Sequence, residues 1–593
     1  MYYMAVETLI LSERQLCELE MLLNGSYAPL TTYLNQADYR SVVDNLQLSN
    51  GEFFPIPIVL DVPRSKIAGL KPGDRLTLMN PENLPLAHLT LSEIYQPDLE
   101  EECNKVLGTN DTNHPYVKHL LRPDLVRDPT LYLSGELVQV NGFQHSDFHR
   151  YRFTPAQAKE IIRRKGWKKV VGFQTRNPMH RSHYEVTRQV MSDLCTGNNR
   201  KAVSSPSSLS SAPSPQSDDA RQPVSPMTPT PSSDVGLLLT PTVGVTQECD
   251  IDYFTRVKCY IALIERYPRR SAQLCLLPLA MRMAGPREAL LHAVIRRNYG
   301  CTHFIIGRDH AGPSYKPSDP SKSSFYGPYE AHELAVKYEE RLGIRIVLMR
   351  ENVYLANRGC YVPIDQVQPE DRPQQISGTR FRDMLVKGEP IPEWYSFPEI
   401  IDILRQHVRT PGEQGFCVYF VGLSGSGKTT AVKHLKNRLM EHDLHKRQIT
   451  VLDADIVRQH LSRGLGFSAE DRSVNIQRIG FVASEIVKHG GICLVANIAP
   501  FEGDRAINRS RISKEGHYIE VFVDTPIDTC RHRDCKGLYE KADRGEIKLT
   551  GVNDPFEVPT NSEFAFRNVT NDDLEEMTDR IIGHLKQLQL IGS

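Results

Sequence analysis

The residues with the clearest chemical signature form a glycine-rich segment, residues 422–429, which reads Gly-Leu-Ser-Gly-Ser-Gly-Lys-Thr. This is the pattern GxxxxGK followed by Ser or Thr, between an apolar run at residues 416–421 and a stretch that favours a helix from about Lys428. In that setting backbone N–H groups surround phosphate oxygens, Lys428 reaches the β- and γ-phosphates, and Thr429 ligates Mg²⁺. A decayed loop is the alternative, and none of these residues indicates decay. The predicted ATP contacts are Gly422, Ser424, Gly425, Ser426, Gly427, Lys428, Thr429 and Thr430.

A second candidate group, residues 174–183, reads Gln-Thr-Arg-Asn-Pro-Met-His-Arg-Ser-His and also follows an apolar run. His180 and His183 share one face of the first turn of a predicted helix, where free N–H groups and the helix dipole favour phosphate. Arg176 and Asn177 add donors just before that turn. The group favours nucleotidyl transfer, which needs charge stabilisation and no covalent nucleophile. Two helical histidines are more often structural or metal ligands, and that alternative stays open.

A third group, residues 307–313, reads Gly-Arg-Asp-His-Ala-Gly-Pro after another apolar run. Its small residues let backbone N–H groups approach an anion, and Arg308 offers a two-pronged donor to a tetrahedral oxyanion. Because loops after parallel strands meet at one edge of a sheet, we expect this group and residues 174–183 to face one site. The alternative is a capped turn with a structural salt bridge.

Phosphoryl transfer at the glycine-rich segment also needs an acceptor site. Asp453, Asp455 and Arg458 follow a predicted strand, and an aromatic side chain and further donors come next, at residues 466–478. Residues 536–539 and 545–548 have the composition of a mobile lid over the phosphates.

The elements around these groups predict an α/β protein of several domains. Residues 1–152 mix short β-like runs with turns and form a β-rich domain; residues 153–393 alternate strands with amphipathic helices, which is typical of a doubly wound parallel sheet. Strands are expected at residues 170–173, 304–306 and 344–349. Residues 394–412 form a linker, and residues 413–593 form a second α/β unit.

A Ser/Pro-rich tract at about residues 198–233 interrupts the first α/β unit. It is too poor in aliphatic residues to offset its ordering entropy, so we expect a disordered insertion between a helix and a strand at residues 235–239. A tolerated surface loop is one interpretation. A regulatory segment is the other, since five Ser or Thr residues each precede proline: Ser205, Ser214, Ser225, Thr228 and Thr230.

Composition narrows the function classes. The 593 residues carry a formal net charge of -1, so no overall basic field attracts nucleic acid. The 12 cysteines form no CxxC pair, which favours reduced thiols. The N-terminus has no basic start, and no apolar run approaches the ~20 residues of a membrane helix. We therefore expect a cytoplasmic protein that binds neither nucleic acid nor membrane.

Residues 1–400 resemble ATP sulfurylase. The resemblance lies in residues 174–183, 250–256, 281–288, 307–313 and 376–379, in matching order. It implies a PUA-like N-terminal domain, a Rossmann-like nucleotidyltransferase domain, and attack of sulfate on the α-phosphorus of Mg-ATP. Residues 314–326 contain no cysteine, so no structural zinc is expected. The implied sulfate ligands are Gln174, Arg176, Arg308 and the Ala311 backbone; the implied nucleotide ligands are Thr175, Asn177, His180 and His183, with Gly307, Asp309 and His310 completing the substrate site.

Residues 413–593 resemble adenylylsulfate kinase. By that resemblance Asp455 is the base for the ribose 3′-hydroxyl, and adenylylsulfate is bound by Arg458, Phe467, Arg472, Asn475, Ile498 and Lys536. Three positions depart from the family's pattern. Its Asp-Gly-Asp-Asn reads Asp-Ala-Asp-Ile at residues 453–456, and its serine before a Pro-aromatic pair is Ala499. Its Lys-Gly-Phe-Thr-Gly reads Lys-Leu-Thr-Gly at residues 548–551, without the aromatic that would stack on adenine.

The combined resemblance implies a homo-oligomeric, Mg²⁺-dependent enzyme acting on small molecules: ATP, sulfate and adenylylsulfate. It would make adenylylsulfate and then phosphorylate it to 3′-phosphoadenylylsulfate. The alternative for residues 413–593 is an allosteric nucleotide sensor without activity, as in fungal sulfurylases. The intact glycine-rich segment and Asp455 favour the kinase, whereas Ile456 and Leu549 keep the sensor open. A third hypothesis, a P-loop NTPase that drives motion, has no support, because no partner-binding signature accompanies the glycine-rich segment.

Overall fold

The computed structural model describes residues 7–122, 128–196, 234–349, 351–442, 444, 446–534, 536–567 and 570–592. The chain divides into two compact units. The first comprises Met1–Ser377 and Ile391–Leu404, and the second comprises Gly378–Pro390 and Arg405–Ser593. The Ser/Pro-rich tract lies outside the described residues.

The first unit begins with a β-rich domain, as predicted. Its five-stranded sheet has the order β1-β3-β4-β5-β2; β1 runs parallel to β3, and the other pairs are antiparallel. The first helix begins at a capping box between Ser12 and Gln15. The elements are β1 (Glu7–Ile10), α1 (Glu13–Leu23), α2 (Gln36–Asn45), β2 (Leu60–Pro63), β3 (Arg75–Met79), β4 (Pro85–Tyr95), α3 (Leu99–Glu102), α4 (Pro115–Leu120) and β5 (Thr130–Gln139).

A second sheet in this unit is fully parallel and has the order β10-β9-β6-β7-β8. The predicted strands are confirmed to within a residue or two at their ends. Connections from β6 run first to one side and then to the other, so the strand order reverses between β6 and β9, where ligands bind in such sheets. The elements are α5 (Pro155–Lys165), β6 (Lys169–Phe173), α6 (Arg181–Thr196), β7 (Val235–Leu239), α7 (Tyr253–Ile264), β8 (Ala272–Leu274), α8 (Gly285–Asn298), β9 (His303–Ile306), α9 (Glu330–Lys337), α10 (Glu339–Leu342) and β10 (Arg345–Leu348).

A small antiparallel sheet follows, which the sequence did not lead us to expect. Its strands are too short to give a clear period-2 pattern. They are β11 (Asn352–Leu355), β12 (Cys360–Pro363) and β13 (Pro373–Gln374), followed by α11 (Gly378–Val386) and α12 (Pro398–His407).

The second unit contains the predicted parallel sheet, with the order β15-β16-β14-β17-β18. All six residues of the central strand β14 are buried, because helices cover both faces. The elements are β14 (Phe416–Val421), α13 (Lys428–Leu439), β15 (Ile449–Asp453), α14 (Ala454–Gln459), α15 (Ala469–Lys488), β16 (Ile492–Asn497), α16 (Glu502–Ser513), β17 (His517–Val523), α17 (Ile527–Arg533), α18 (Leu538–Asp543), β18 (Phe564–Phe566) and α19 (Asn571–Gln587).

No helix of the described ranges has the length and apolar character needed to cross a membrane.

Candidate active sites

The first site lies where β6 and β9 end side by side in the parallel sheet. Arg176, three residues after β6, donates to the carbonyl oxygen of Gly312 at 3.0 Å and to the hydroxyl of Ser314 at 3.1 Å. Its guanidinium also lies 3.5 Å from the carboxylate of Asp250. The structure therefore brings residues 174–183 and residues 307–313 together, as the shared strand edge predicts.

The turn after β6 is held by its own backbone and by α7. The Thr175 hydroxyl accepts from the Asn177 N–H at 3.0 Å and donates to the Asn177 carbonyl at 2.8 Å. Tyr260 on α7 donates to that carbonyl at 2.7 Å, and Arg256 donates to the carbonyl of Arg176 at 2.8 Å. These contacts explain the motif at residues 250–256, whose role was not assigned from sequence. They leave the Asn177 side chain exposed.

The side chain of Gln174 is buried, whereas a sulfate ligand in an open site would be exposed. This side chain is 8% exposed, and its amide nitrogen lies 3.3 Å from the Thr242 hydroxyl. The amide oxygen has no hydrogen-bond partner among the described residues. A buried amide with an unmet polar atom is expected to find its partner in a bound ligand or water.

His180 and His183 occupy the start of α6 with neutral side chains. Burial lowers the pKa of His180 to about 3, with a further contribution from His183, and lowers the pKa of His183 to about 4. His183 Nδ1 accepts from the backbone N–H of His180 at 3.2 Å, which places its proton on Nε2. His180 Nδ1 lies 3.2 Å from the hydroxyl of Ser396. Both rings can therefore donate a hydrogen bond without carrying a charge.

Arg308 is held by carboxylates in this structure. It donates to Asp309 at 2.9 Å and to Glu351 at 2.6 Å, while its side chain remains 45% exposed. The salt bridge of the alternative interpretation is thus present, on a side chain that solvent still reaches. Gly307 precedes it directly at the end of β9.

The loop after Arg308 has a constrained backbone around a buried histidine. Asp309 and Ala311 adopt left-handed conformations, with φ of 52° and 56°. Between them, His310 makes a 3.0 Å contact with the ring of His292 on α8. Burial holds the pKa of His310 well below its usual value, with His292 contributing further. His310 therefore anchors the loop to the core, and its proposed contact with substrate would be indirect.

Two arginines, Arg282 just before α8 and Arg287 in its first turn, fasten this site to the β-rich domain. Arg282 forms a 2.5 Å ion pair with Glu18, and both side chains are almost fully buried. Arg287 donates to four backbone carbonyls, those of Val42, Val43, Pro55 and Lys105. These partners come from separate segments, so the sequence shows the motif at residues 281–288 but does not show which residues the motif contacts.

The second site is a cavity of about 950 Å³ in the second unit. That volume is in the range of small-ligand pockets. The glycine-rich segment and the predicted acceptor residues line one continuous space. The predicted residues in its wall are Ser424, Gly425, Gly427, Lys428, Thr429, Thr430, Asp455, Arg458, Phe467, Arg472, Asn475, Ile498 and Lys536.

Gly422 and Ser426 shape the loop without lining the cavity. The Lys428 ammonium donates to the carbonyls of Gly422 at 2.9 Å and Leu423 at 2.7 Å. Ser426 is fully buried, and its carbonyl accepts from Thr525. Burial lowers the pKa of Lys428 to about 8, which a bound polyphosphate would reverse.

The acceptor half of the cavity carries several cations held by internal partners. Lys536 forms an ion pair with Asp455, and the Arg458 guanidinium lies 4.4 Å from the ring centre of Phe467. Arg472 contacts Asp554 and donates to the Thr550 hydroxyl at 2.6 Å.

Near the predicted lid, sequence reasoning missed Arg533, and it did not show which residue Tyr539 of the lid contacts. Tyr539 donates to the carbonyl of Ser424 at 2.8 Å, and Arg533 lies against the carbonyl of Gly425 at 3.5 Å. Leu549, in the place of the family's aromatic residue, packs into an apolar cluster with Tyr539 and Cys530 while still lining the cavity. Arg533 has no clear signal in the sequence, because a single arginine at the end of a helix is common.

Comparisons with known families agree with this architecture. A PUA-like domain model matches residues 3–141, an ATP-sulfurylase model matches residues 149–201 and 225–407, and an adenylylsulphate kinase model matches residues 414–567. The sulfate adenylyltransferase of Gibberella zeae is 42% identical over 580 residues, covering 97% of this chain and 92% of that protein. The one from Emericella nidulans is 42% identical over 560 residues, covering 94% and 89%.

Among solved structures, the hexameric APS kinase from Thiobacillus denitrificans superposes with a TM-score of 0.72 at 31% identity, covering 99% of this chain and 94% of that one. Fold and sites thus define a nucleotide-using transferase with a sulfurylase domain followed by a P-loop kinase domain. The chain belongs to the sulfate adenylyltransferase family. Its two enzymatic domains together serve sulfate activation, from sulfate to adenylylsulfate and then to 3′-phosphoadenylylsulfate.

Proposed function

We propose that both sites are catalytic, that the first makes adenylylsulfate and pyrophosphate from ATP and sulfate, and that the second transfers the γ-phosphoryl group of another ATP to the 3′-hydroxyl of adenylylsulfate. The observation that carries the second step is the single cavity that holds the P-loop lysine, Lys428, together with Asp455 and Arg458. A sensor that only recognises the product needs no donor phosphate site beside the acceptor site. Asp455 and an intact P-loop in one wall therefore favour a kinase.

At the first site a sulfate oxygen attacks the α-phosphorus, the bond from that phosphorus to the bridging oxygen breaks, and pyrophosphate leaves. Arg176 and Arg308 hold sulfate, with the Ala311 N–H and a reoriented Gln174 amide as further donors. Arg308 would exchange Glu351 and Asp309 for sulfate, which its exposure permits.

The leaving pyrophosphate is stabilised by hydrogen-bond donors rather than by cationic histidines. His183 donates through Nε2, since its Nδ1 is occupied, and His180 acts beside it at the same helix terminus. Thr175 and Asn177 set the turn that presents them, and the Asn177 side chain contacts the nucleotide.

At the second site Asp455 accepts the proton of the 3′-hydroxyl as that oxygen bonds to the γ-phosphorus and ADP leaves. In the free protein Lys536 pairs with Asp455, so acceptor binding must separate them. Lys428 moves from the loop carbonyls to the β- and γ-phosphates. Arg458, Arg472 and Asn475 hold the phosphosulfate.

Mg²⁺ is the proposed cofactor of both reactions. At the second site the residues fit it, because the Thr429 hydroxyl lies 2.7 Å from the carboxylate of Asp453, an all-oxygen environment of the kind Mg²⁺ prefers. Bound with ATP, it would neutralise phosphate charge during transfer. No zinc site is proposed.

The remaining assignments stay proposals. A homo-oligomer is supported by the hexameric relative from Thiobacillus denitrificans. We also keep the predicted domain limits, residues 1–152, 153–393, 394–412 and 413–593, and a cytoplasmic location.

The test is one assay of the purified chain with ATP, Mg²⁺ and labelled sulfate, in which both nucleotide products are separated. We expect adenylylsulfate and 3′-phosphoadenylylsulfate, the second also from added adenylylsulfate. If added adenylylsulfate is never phosphorylated while 3′-phosphoadenylylsulfate makes the sulfurylase saturation curve sigmoidal, the second unit is a sensor and the kinase proposal is wrong.

A further inference from the structure

Two buried amide side chains in the wall of the kinase cavity each have an unmet polar atom. Asn497, the last residue of β16, is 4% exposed, and Asn475 on α15 is 3% exposed. Asn497 Nδ2 and Asn475 Oδ1 have no hydrogen-bond partner within the described ranges, and both residues line the cavity. A buried amide without a partner costs free energy, so both atoms are expected to meet a ligand that fills the cavity.

Asn475 is already among the proposed acceptor residues, whereas no role has been assigned to Asn497. Asn497 pairs in register with Val421, the last residue of the strand that leads into the P-loop. Its side chain therefore emerges at the carboxyl edge of the sheet, where ligands bind in parallel sheets.

The wall around Asn497 is mostly apolar, and its one nearby charged group is the carboxylate of Asp453, which pairs in register with Ala496. The neighbours of Asn497 along the chain that line the cavity are Ala496, Ile498 and Pro500, and Ile476 lies beside Asn475 on α15. The cations of the cavity, in contrast, come from α14, α15, the lid and the P-loop. A mostly apolar wall with one amide and a neighbouring carboxylate fits a neutral heteroaromatic base with ring nitrogens and disfavours the anionic phosphosulfate group.

We propose that Asn497 recognises the adenine base of adenylylsulfate, with Nδ2 donating a hydrogen bond to a ring nitrogen. This rests on the proposed function of the cavity as the adenylylsulfate site. It adds a polar, base-selective contact to a site in which Leu549 has replaced the stacking aromatic residue.

A purely structural role for Asn497 is the competing explanation. Burial raises the pKa of the Tyr419 hydroxyl, and the amides of Asn508 and Asn497 oppose that shift as hydrogen-bond donors to its oxygen, so Tyr419 is the candidate structural partner of Asn497. Asn508 is fully buried, donates to the carbonyl of Ile476 at 3.0 Å and does not line the cavity. It is therefore a matched control: the same residue type in the same polar cluster, without access to the ligand.

The test compares Asn497→Leu, which keeps the branched shape but removes both polar atoms, with Asn508→Ala. Binding is measured by calorimetry on the full chain, with saturating ADP and Mg²⁺ to fill the P-loop and with Arg308→Ala in every sample, because the first site would otherwise bind its own product, adenylylsulfate. The probes are adenylylsulfate, AMP and ribose 5-phosphate, which lacks the base; weak binding is measured by competition. Asn497→Ser is the second variant, in case leucine does not fit.

We expect Asn497→Leu to weaken adenylylsulfate and AMP binding about 10-fold, equivalent to ~1.4 kcal/mol, and to leave ribose 5-phosphate binding unchanged. Its melting temperature without ligand should equal or exceed that of the wild type, because an unmet buried polar group is removed. Asn508→Ala should lower the melting temperature and leave the affinities within about 2-fold.

Unchanged AMP affinity in both Asn497 variants would overturn the proposal, as would equal losses for AMP and ribose 5-phosphate. These measurements involve no turnover, so they are separate from the kinase question. If the wild-type chain binds adenylylsulfate but never phosphorylates it, the kinase proposal is wrong. The Asn497 proposal is then still decided by the binding measurements. If the chain binds no adenylylsulfate, both proposals are wrong.

Discussion

Replacing Lys428 with methionine should abolish the kinase reaction and leave the stability of the ligand-free protein within about 1 kcal/mol of the wild type. Without nucleotide the ammonium group donates to the carbonyls of Gly422 and Leu423 and lies 3.5 Å from the Ser426 hydroxyl. Burial lowers its pKa from 10.5 to about 8. The folded state therefore disfavours the charged form that catalysis requires, a cost that function imposes on stability.

The size of the expected change in stability follows from the lowered pKa of Lys428. A change of 10.5 − 8 = 2.5 pKa units at 1.36 kcal/mol each is roughly 3 kcal/mol. Because part of the Lys428 side chain remains exposed, we reduce this to about 1–2 kcal/mol. Methionine removes that cost but also removes two hydrogen bonds of about 0.5–1 kcal/mol each. The two contributions are of similar size, so the free energy of unfolding should change by no more than about 1 kcal/mol in either direction.

The free-energy cost of burying the Lys428 charge depends on pH. Since the pKa of Lys428 is lower in the folded than in the unfolded state, the unfolded chain binds more protons between pH 8 and 10.5. The cost is fully present below pH 8 and disappears as the pH rises through that window. The melting temperature of Lys428→Met relative to the wild type should therefore be highest near pH 7 and fall towards pH 10.5.

Three assays complete the experiment: phosphorylation of added adenylylsulfate, sulfate-dependent pyrophosphate release, and thermal unfolding with and without Mg-ATP. Kinase turnover should fall at least ~10²–10³-fold, as for other lost charge-stabilising donors, while pyrophosphate release stays normal. Lys433→Met, an exposed lysine on the same helix, is the control and should leave all three unchanged. Kinase activity within tenfold of wild type in Lys428→Met, or an unfolded second unit, would refute the reasoning.

Four further predictions concern other residues. Arg308→Ala and His183→Ala should each reduce sulfate-dependent pyrophosphate release about 10²–10³-fold with an unchanged melting temperature; near-normal rates in both would contradict the sulfurylase assignment. Asp455→Asn should stop formation of 3′-phosphoadenylylsulfate and spare adenylylsulfate synthesis, measured by separating the two products. Because the pKa values of His180 and His183 are lowered to about 3 and about 4, the wild type should lose stability as the pH falls from 6.5 to 4, and His180→Asn should lose less over that range in thermal unfolding. Deletion of residues 200–232, which lie outside the described residues, should shift the melting temperature little, since loop-closure cost varies only by about 0.6 kcal/mol per doubling of length; loss of folded protein would contradict that.

The strands and the ligand edge of each sheet could be predicted because both signals are local. An apolar run such as residues 235–239 must be buried, and a glycine-rich or donor-rich segment directly after such a run lies at the carboxyl edge of a parallel sheet. The structure places residues 174–183, 307–313 and 422–429 at such edges. In these segments the residue types and the position after a buried strand both indicate a ligand-binding site.

The partners of the functional side chains could not be predicted because they come from distant segments. Glu351, which holds Arg308, lies 43 positions further along the chain, and Arg287 is fixed by carbonyls 182 to 245 positions away. Carbonyl partners have no side-chain signal at all. Asn497 could not be predicted for another reason: a single amide at the end of an apolar strand forms no sequence motif. It is identified as a candidate site residue by its place in the cavity wall and its missing hydrogen bond.

In both units the cations proposed to bind anions are already engaged with internal acceptors, and the strength of each engagement sets how easily substrate can replace it. Lys536 and Asp455 are each more than half exposed, so their ion pair is worth little and should separate readily when the acceptor binds. The Arg472 side chain is only 8% exposed and contacts Asp554, so breaking that pair would strand a buried charge. Arg472 is therefore better suited to fix the acceptor wall while keeping its carboxylate partner, and Lys536 to move. The same comparison at the first site makes Arg308, whose side chain is 45% exposed, the cation that changes partner, and Arg176, at 13%, the one that stays in place.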